Sequence, residues 1–162
     1  MTSFAASQPS SNGSRSLLVL VGLLAACFAV AGLGSLATIS NVDGWYADAA
    51  RPWFTPPDAV FGPVWTVLYV LIAVSGWLAH RAGASLVPWW VQLALNLAWT
   101  PVFFAAEQLW LGLVVIVALD AAVVWTLARF ARASRAAAWL LVPYLAWVLF
   151  ATALNAGIAV LN

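Results

Sequence analysis

The chain has 162 residues, of which 65% are hydrophobic and 7% charged, with a mean hydropathy of +1.01. A soluble domain carries roughly 25% charged residues, so a soluble fold, or a soluble second domain beside a membrane one, is excluded. The net charge of +1 comes from arginines scattered over short loops, and without a basic stripe nucleic acid is excluded as a partner.

In chain order, residues 1–15, beginning "MTSFAASQPSSNGS", read as a disordered tail. The transmembrane domain follows at 16–162. Its five nearly uncharged runs are Ser16 to Ile39, Phe61 to Ala79, Ala84 to Ala106, Leu109 to Ala128 and Ala136 to Leu161. A helix needs about 20 apolar residues to cross a bilayer, and each run is near that length. Lipid offers no partner for backbone N–H and C=O groups, and no run alternates with period two, so helices rather than barrel strands are predicted. The fold class is an all-α integral membrane protein, a five-helix transmembrane bundle. Its helices lie at about 16–39, 61–79, 84–106, 109–128 and 136–161, with a loop at 40–60.

The first run exceeds the roughly 7 to 15 residues of a secretory signal core, so it is read as a retained anchor. Within it, Gly22 and Ala26, then Ala25 and Ala29, are small residues four apart, a spacing that suits a homodimer seam. Cys27 stands alone and reads as a small buried hydrophobe. Five crossings put Arg15, Arg81, Arg129, Arg132 and Arg135 on one side with no acid. Arg51, Asp43, Asp48, Asp58 and Glu107 fall on the other. The positive-inside rule then places the N-terminus in the cytoplasm, with the long loop and the C-terminus outside.

The stretch "RPWFTPPDAVFGPVWTVLY" (51–69) is crowded with prolines. Pro52, Pro56 and Pro57 fix φ and stiffen the loop, whereas Pro63 suits the first turn of a helix. Of the tryptophans, Trp45, Trp53, Trp89, Trp90, Trp110 and Trp139 lie near helix ends, as an aromatic belt at the headgroups requires. Trp65, Trp99 and Trp147 lie deeper and share helix faces with polar groups. Gln92, Asn96, Trp99 and Phe103 form one stripe, Tyr144, Trp147, Ala151 and Asn155 a second, and Phe61, Trp65 and Tyr69 a third. Amides and phenols are costly against lipid, so these faces turn inward, either as packing seams or as walls of a cavity for a large planar aromatic ligand.

Asp120, near the middle of the fourth run, has two readings: a proton-linked or ligand-contacting acid, and a protonated or amide-paired group at a helix or dimer contact. The second is favoured. His80 has no second histidine and reads as an interfacial side chain, with no metal site. No nucleophile triad, phosphate-cradling glycine loop or carboxylate pair is present.

Three motifs in order, "WYADAARPWFTPPDAVFGPVWTVLY" (45–69), "QLALNLAWTPVFF" (92–104) and "VPYLAWVLFATALN" (142–155), resemble the tryptophan-rich sensory proteins, which include the mitochondrial translocator protein, once called the peripheral benzodiazepine receptor. The resemblance implies a bacterial-type member in the cell membrane, often a homodimer. It implies a pocket for protoporphyrin IX, haem-like tetrapyrroles and benzodiazepine-site ligands, with no obligate cofactor. By matching positions, the ligand-binding residues are Trp53, Phe54, Trp65, Tyr69, Asn96, Trp99, Phe103, Trp110, Tyr144, Trp147 and Ala151. The lid is formed by Arg51, Pro56, Pro57 and Asp58. The implied role is a sensor or regulator of porphyrin level or stress response. The alternatives are light-dependent porphyrin breakdown, with Trp53 and Trp147 as the catalytic candidates, or transport of tetrapyrroles or other small hydrophobes. Three features depart from the pattern. Arg51 replaces the common lysine by a planar fork, Glu107 falls near a basic position of animal members, and the C-terminal "LNAGIAVLN" lacks the proposed cholesterol motif.

Overall fold

The structure, a computed structural model, describes residues 11–42 and 44–162. Most of the predicted tail, residues 1–10, and Asp43 on the predicted outer side therefore lie outside the described residues. The described chain is all-helical: α1 (Ser11–Val42), a short α2 (Trp45–Asp48), α3 (Phe61–Arg81), α4 (Val87–Thr100), α5 (Leu109–Ala133) and α6 (Arg135–Leu161). A 3₁₀ turn, Asp58–Val60, leads into α3, and a π-helical turn, Pro101–Ala105, prolongs α4. Helix α1 begins before the predicted position 16, and the predicted 40–60 loop contains α2 and the 3₁₀ turn.

Among the described residues, four helices are long and apolar enough to cross a membrane: α1, α3, α5 and α6. Helix α4 has 14 residues and falls short by itself. Its change of pitch has a covalent cause. Pro101 has no N–H to continue the α-helical ladder, and the chain widens until the Ala106 N–H reaches the Pro101 carbonyl at 2.9 Å, the i to i+5 bond of a π turn.

Local chemistry sets the other boundaries. Gly83, at φ 76°, ends α3. Its N–H bonds the His80 carbonyl at 3.0 Å, and that of Ala84 bonds the Ala79 carbonyl at 2.9 Å, the paired bonds of a Schellman cap. Between α5 and α6 the break is a single residue, Ser134, whose hydroxyl accepts from the Ala137 N–H at 3.3 Å and caps α6.

The long helices close a ring in the order α1, α3, α6, α5, α4, with α4 returning to α1. Lipid tails are as apolar as the side chains, so packing in such a ring rests on close approach and interhelical hydrogen bonds. Trp89 shows both. It is fully buried, not in the belt at the surface, because Gly76 on α3 leaves room for the indole and the Ile72 carbonyl accepts its N–H at 2.9 Å. Ser75 bonds the Ala137 carbonyl at 2.7 Å, tying α3 to α6. Cys27 is wholly buried in the same core. Asp120 lies on the α5–α6 seam, a helix contact, but its partner there is a hydroxyl rather than an amide: Thr152 Oγ1 donates to its Oδ2 at 2.8 Å.

Candidate ligand-binding site

One end of the bundle holds a cavity of about 420 Å³. Its walls come from α1, α3, the α4–π junction and α6, and α2 reaches over it. The walls are rich in aromatic side chains, and three of them are tryptophans, Trp65, Trp99 and Trp147, one each from α3, α4 and α6. Tyr69, Ala151 and Asp58 also line it, so these predicted residues do converge. The stripes on the three helices turn to a common space because the ring order brings those faces together.

Polar bonds hold the walls in place. The Tyr69 hydroxyl donates to Asn96 Oδ1 at 2.7 Å, and Asn96 Nδ2 donates to the Tyr144 hydroxyl at 3.1 Å. Asn96 and Tyr144 are buried behind the wall rather than part of its surface. The Trp99 indole donates to Asn155 Oδ1 at 3.1 Å, while Asn155 Nδ2 donates to the Leu109 carbonyl at 2.9 Å. Phe103 stacks on Trp99 with centroids 5.4 Å apart and is likewise buried behind it. The Trp147 N–H is buried with no acceptor among the described residues.

Trp53 and Trp110 do not join them. Trp53 is 95% exposed and Trp110 62%, and neither lines the cavity. The backbone of the 49–57 loop is pinned elsewhere, which turns the Trp53 ring outward. Asn162 accepts from the Ala50 N–H at 3.1 Å and donates to the Ala50 carbonyl at 3.0 Å, and Pro52 packs against Gly157. Phe54 instead meets Phe150 at 6.3 Å, and Phe150 meets Trp147 at 5.5 Å, so Phe54 reaches the wall through one intervening ring. Trp110 is in the first turn of α5, a helix that contributes nothing to the lining.

Phe61, in the stripe with Trp65 and Tyr69, lines the cavity as well, whereas Tyr46, Thr100 and Phe104, inside the motifs but not assigned to the site, and the face of α1 that carries Ser35 and Thr38, were missed. Ala31, Ser35 and Thr38 follow helical spacing, and two hydroxyls on one face of an apolar span were the available signal. Both satisfy themselves on their own helix, bonding the carbonyls of Ala31 and Gly34 at 2.8 and 2.9 Å.

At the mouth, Arg51 lies 5.3 Å from the Tyr46 ring centroid and 3.5 Å from Asp58 Oδ1. Both partners of the ion pair are substantially exposed, so the pair is worth little. Burial raises the Tyr46 phenol above its ordinary range; Asp58 adds to the rise and Arg51 opposes it. Pro56 and Pro57 lead from this loop into the 3₁₀ turn that carries Asp58.

An all-helical membrane protein with an aromatic-walled cavity near one end of its bundle is the class that fold and site define. The chain belongs to the TspO/MBR family, whose model matches residues 23–161. It is 41% identical over 151 residues to "Tryptophan-rich protein TspO" of Archaeoglobus fulgidus, covering 90% of this chain and 98% of that protein. It is 37% identical over 135 residues to the "Tryptophan-rich sensory protein" of Cereibacter sphaeroides, covering 82% and 84%. To the human "Translocator protein" it is 39% identical over 119 residues, covering 68% and 70%.

Proposed function

We propose that this protein binds a tetrapyrrole, protoporphyrin IX or a haem-like relative, within the bilayer and acts as a sensor or regulator of porphyrin level or stress response. The observation that carries the reading is the convergence of Trp65, Trp99 and Trp147 on one cavity of about 420 Å³, a size within the roughly 300 to 1,000 Å³ of small-molecule sites. Flat indoles from three directions match a planar macrocycle by offset stacking and edge contacts. The buried Trp147 N–H is a donor for a ligand carboxylate or ring nitrogen, and Arg51 at the mouth can receive a propionate through its planar fork.

The 49–60 segment serves as the lid of this site. Arg51, Pro56, Pro57 and Asp58 set its path, and Phe54 couples it to Trp147 through Phe150. In the bilayer, α4 with its π turn is the fifth crossing, at about 28 Å for 19 residues against a core of about 30 Å. The arginine-bearing end faces the cytoplasm, the C-terminus faces outward, and a homodimer forms through small residues of α1 such as Gly22, whose surroundings are open. Binding ranks above light-driven breakdown because Trp53, one of the two candidate redox indoles, points away from the cavity.

The test is a titration of the purified chain with protoporphyrin IX. Saturable quenching of tryptophan fluorescence is expected, weakened at least about tenfold in a Trp99→Ala, Trp147→Ala variant that loses two stacking faces. Equal affinity in that variant would overturn the site.

A further inference from the structure

At the end of the bundle remote from the cavity, a second depression runs between the start of α1 and the end of α3. Arg15, His80 and Arg81 surround it, and Leu17, Val19 and Trp77 form its apolar part. The acids among the described residues are Asp48, Asp58, Glu107 and Asp120, and none of these borders the groove. Two guanidinium groups and an imidazole thus share one groove with no carboxylate among the described residues of its lining.

The groove is also built rather than merely exposed. The Trp77 indole N–H donates to both the carbonyl and the hydroxyl of Ser16 at 2.9 Å, which locks α3 to α1. The guanidinium of Arg81 lies 4.9 Å from the Trp77 ring centroid, so its plane is held over that platform. A guanidinium held in this way loses less freedom on binding an oxyanion than a free side chain does, and it still offers its N–H fork to phosphate oxygens.

We propose that this groove binds the phosphate of an anionic phospholipid headgroup, with Arg15, His80 and Arg81 as its donors. Basic pockets between transmembrane helices bind such headgroups. Leu17 and Val19, further along α1 than Arg15, give the groove an apolar part, against which the acyl chains of a lipid would lie and from which a free phosphate gains nothing. The site is separate from the aromatic cavity, shares no lining residue with it, and does not depend on what that cavity binds.

Native mass spectrometry of the full chain in detergent, titrated with phosphatidylglycerol, phosphatidylcholine or inorganic phosphate, tests it. Phosphatidylglycerol adducts should form more tightly than phosphatidylcholine adducts, and millimolar phosphate should not displace them. An Arg15→Gln, Arg81→Gln variant should lose about twenty-five-fold in phosphatidylglycerol affinity, each arginine being worth about fivefold. Arg15→Gln alone, at an exposed position, should lose about fivefold. An Arg129→Gln, Arg132→Gln variant, which removes the same charge outside the groove, should bind like the parent. Equal binding of the two lipids, or equal losses in the two double variants, would overturn the proposal. Displacement by inorganic phosphate would overturn the lipid assignment in favour of a free-anion site.

Discussion

The indole N–H of Trp99 donates to Oδ1 of Asn155 at 3.1 Å, so the orientation of a cavity wall on α4 is set by an amide on α6. The same amide uses its nitrogen on the Leu109 carbonyl, an acceptor at the start of α5. Replacing Asn155 by Ala should strand both partners and cost about 1 to 3 kcal/mol. Thermal unfolding in detergent reads the stability. The near-ultraviolet circular dichroism of tryptophan should weaken as Trp99 gains freedom. An unchanged spectrum would show that Phe103 stacking alone holds the ring.

Gly76 is where α3 admits the Trp89 ring. A methyl group there would lie 2.8 Å from Trp89 Nε1, and the indole could move only by losing its bond to Ile72. Gly76→Ala should therefore destabilise by about 1 to 3 kcal/mol, the usual range for overpacking. Gly32, on α1, has nothing within 4 Å of the added methyl, and Gly32→Ala should be neutral or slightly stabilising through helix propensity. Parallel unfolding of the two variants checks the contrast.

The 49–57 loop is tied to the C-terminus by Asn162, which meets both backbone groups of Ala50. Asn162→Ala removes both bonds. Exchange of the Ala50 amide with deuterium should accelerate at least about tenfold, while amides in the middle of α3 stay protected. If exchange at Ala50 does not change, the packing of Pro52 on Gly157 is what holds the loop.

Tyr46 links pH to stability. Burial, with Asp58 adding, raises its folded-state value above the ordinary 10.0. Below about pH 10 both folded and unfolded chains carry the proton, so nothing is lost. Above that, the unfolded chain ionises first, and stability falls as pH rises toward the folded value. Tyr46→Phe should flatten this alkaline decline in unfolding experiments. Arg51→Gln, which removes the cation beside the ring, should move the Tyr46 phenolate absorbance to still higher pH.

Periodicity and composition made the helical class legible, because a backbone in lipid has few other ways to satisfy itself. The three inward stripes were legible for the same reason, since amides and phenols avoid lipid, but spacing left open whether they were packing seams or cavity walls, and it was the family resemblance that implied Trp65, Tyr69, Trp99, Trp147 and Ala151 as wall residues. Other placements needed the third dimension. Asn96 and Tyr144 share their stripes with wall residues, yet they spend their polar groups on each other and on Tyr69, behind the surface. Trp89 has the sequence environment of a belt tryptophan, and only the absence of a side chain on Gly76, on another helix, allows it inside. Trp53 lies in the most recognisable motif of the chain, but distant contacts with Asn162 and Gly157 decide which way its ring points. The sequence by itself therefore determined solvent, helices and inward faces, because each follows from neighbours within a turn or two. Which faces meet, and which ring reaches the cavity, was decided by the order of the helices and by single contacts between residues far apart in the chain.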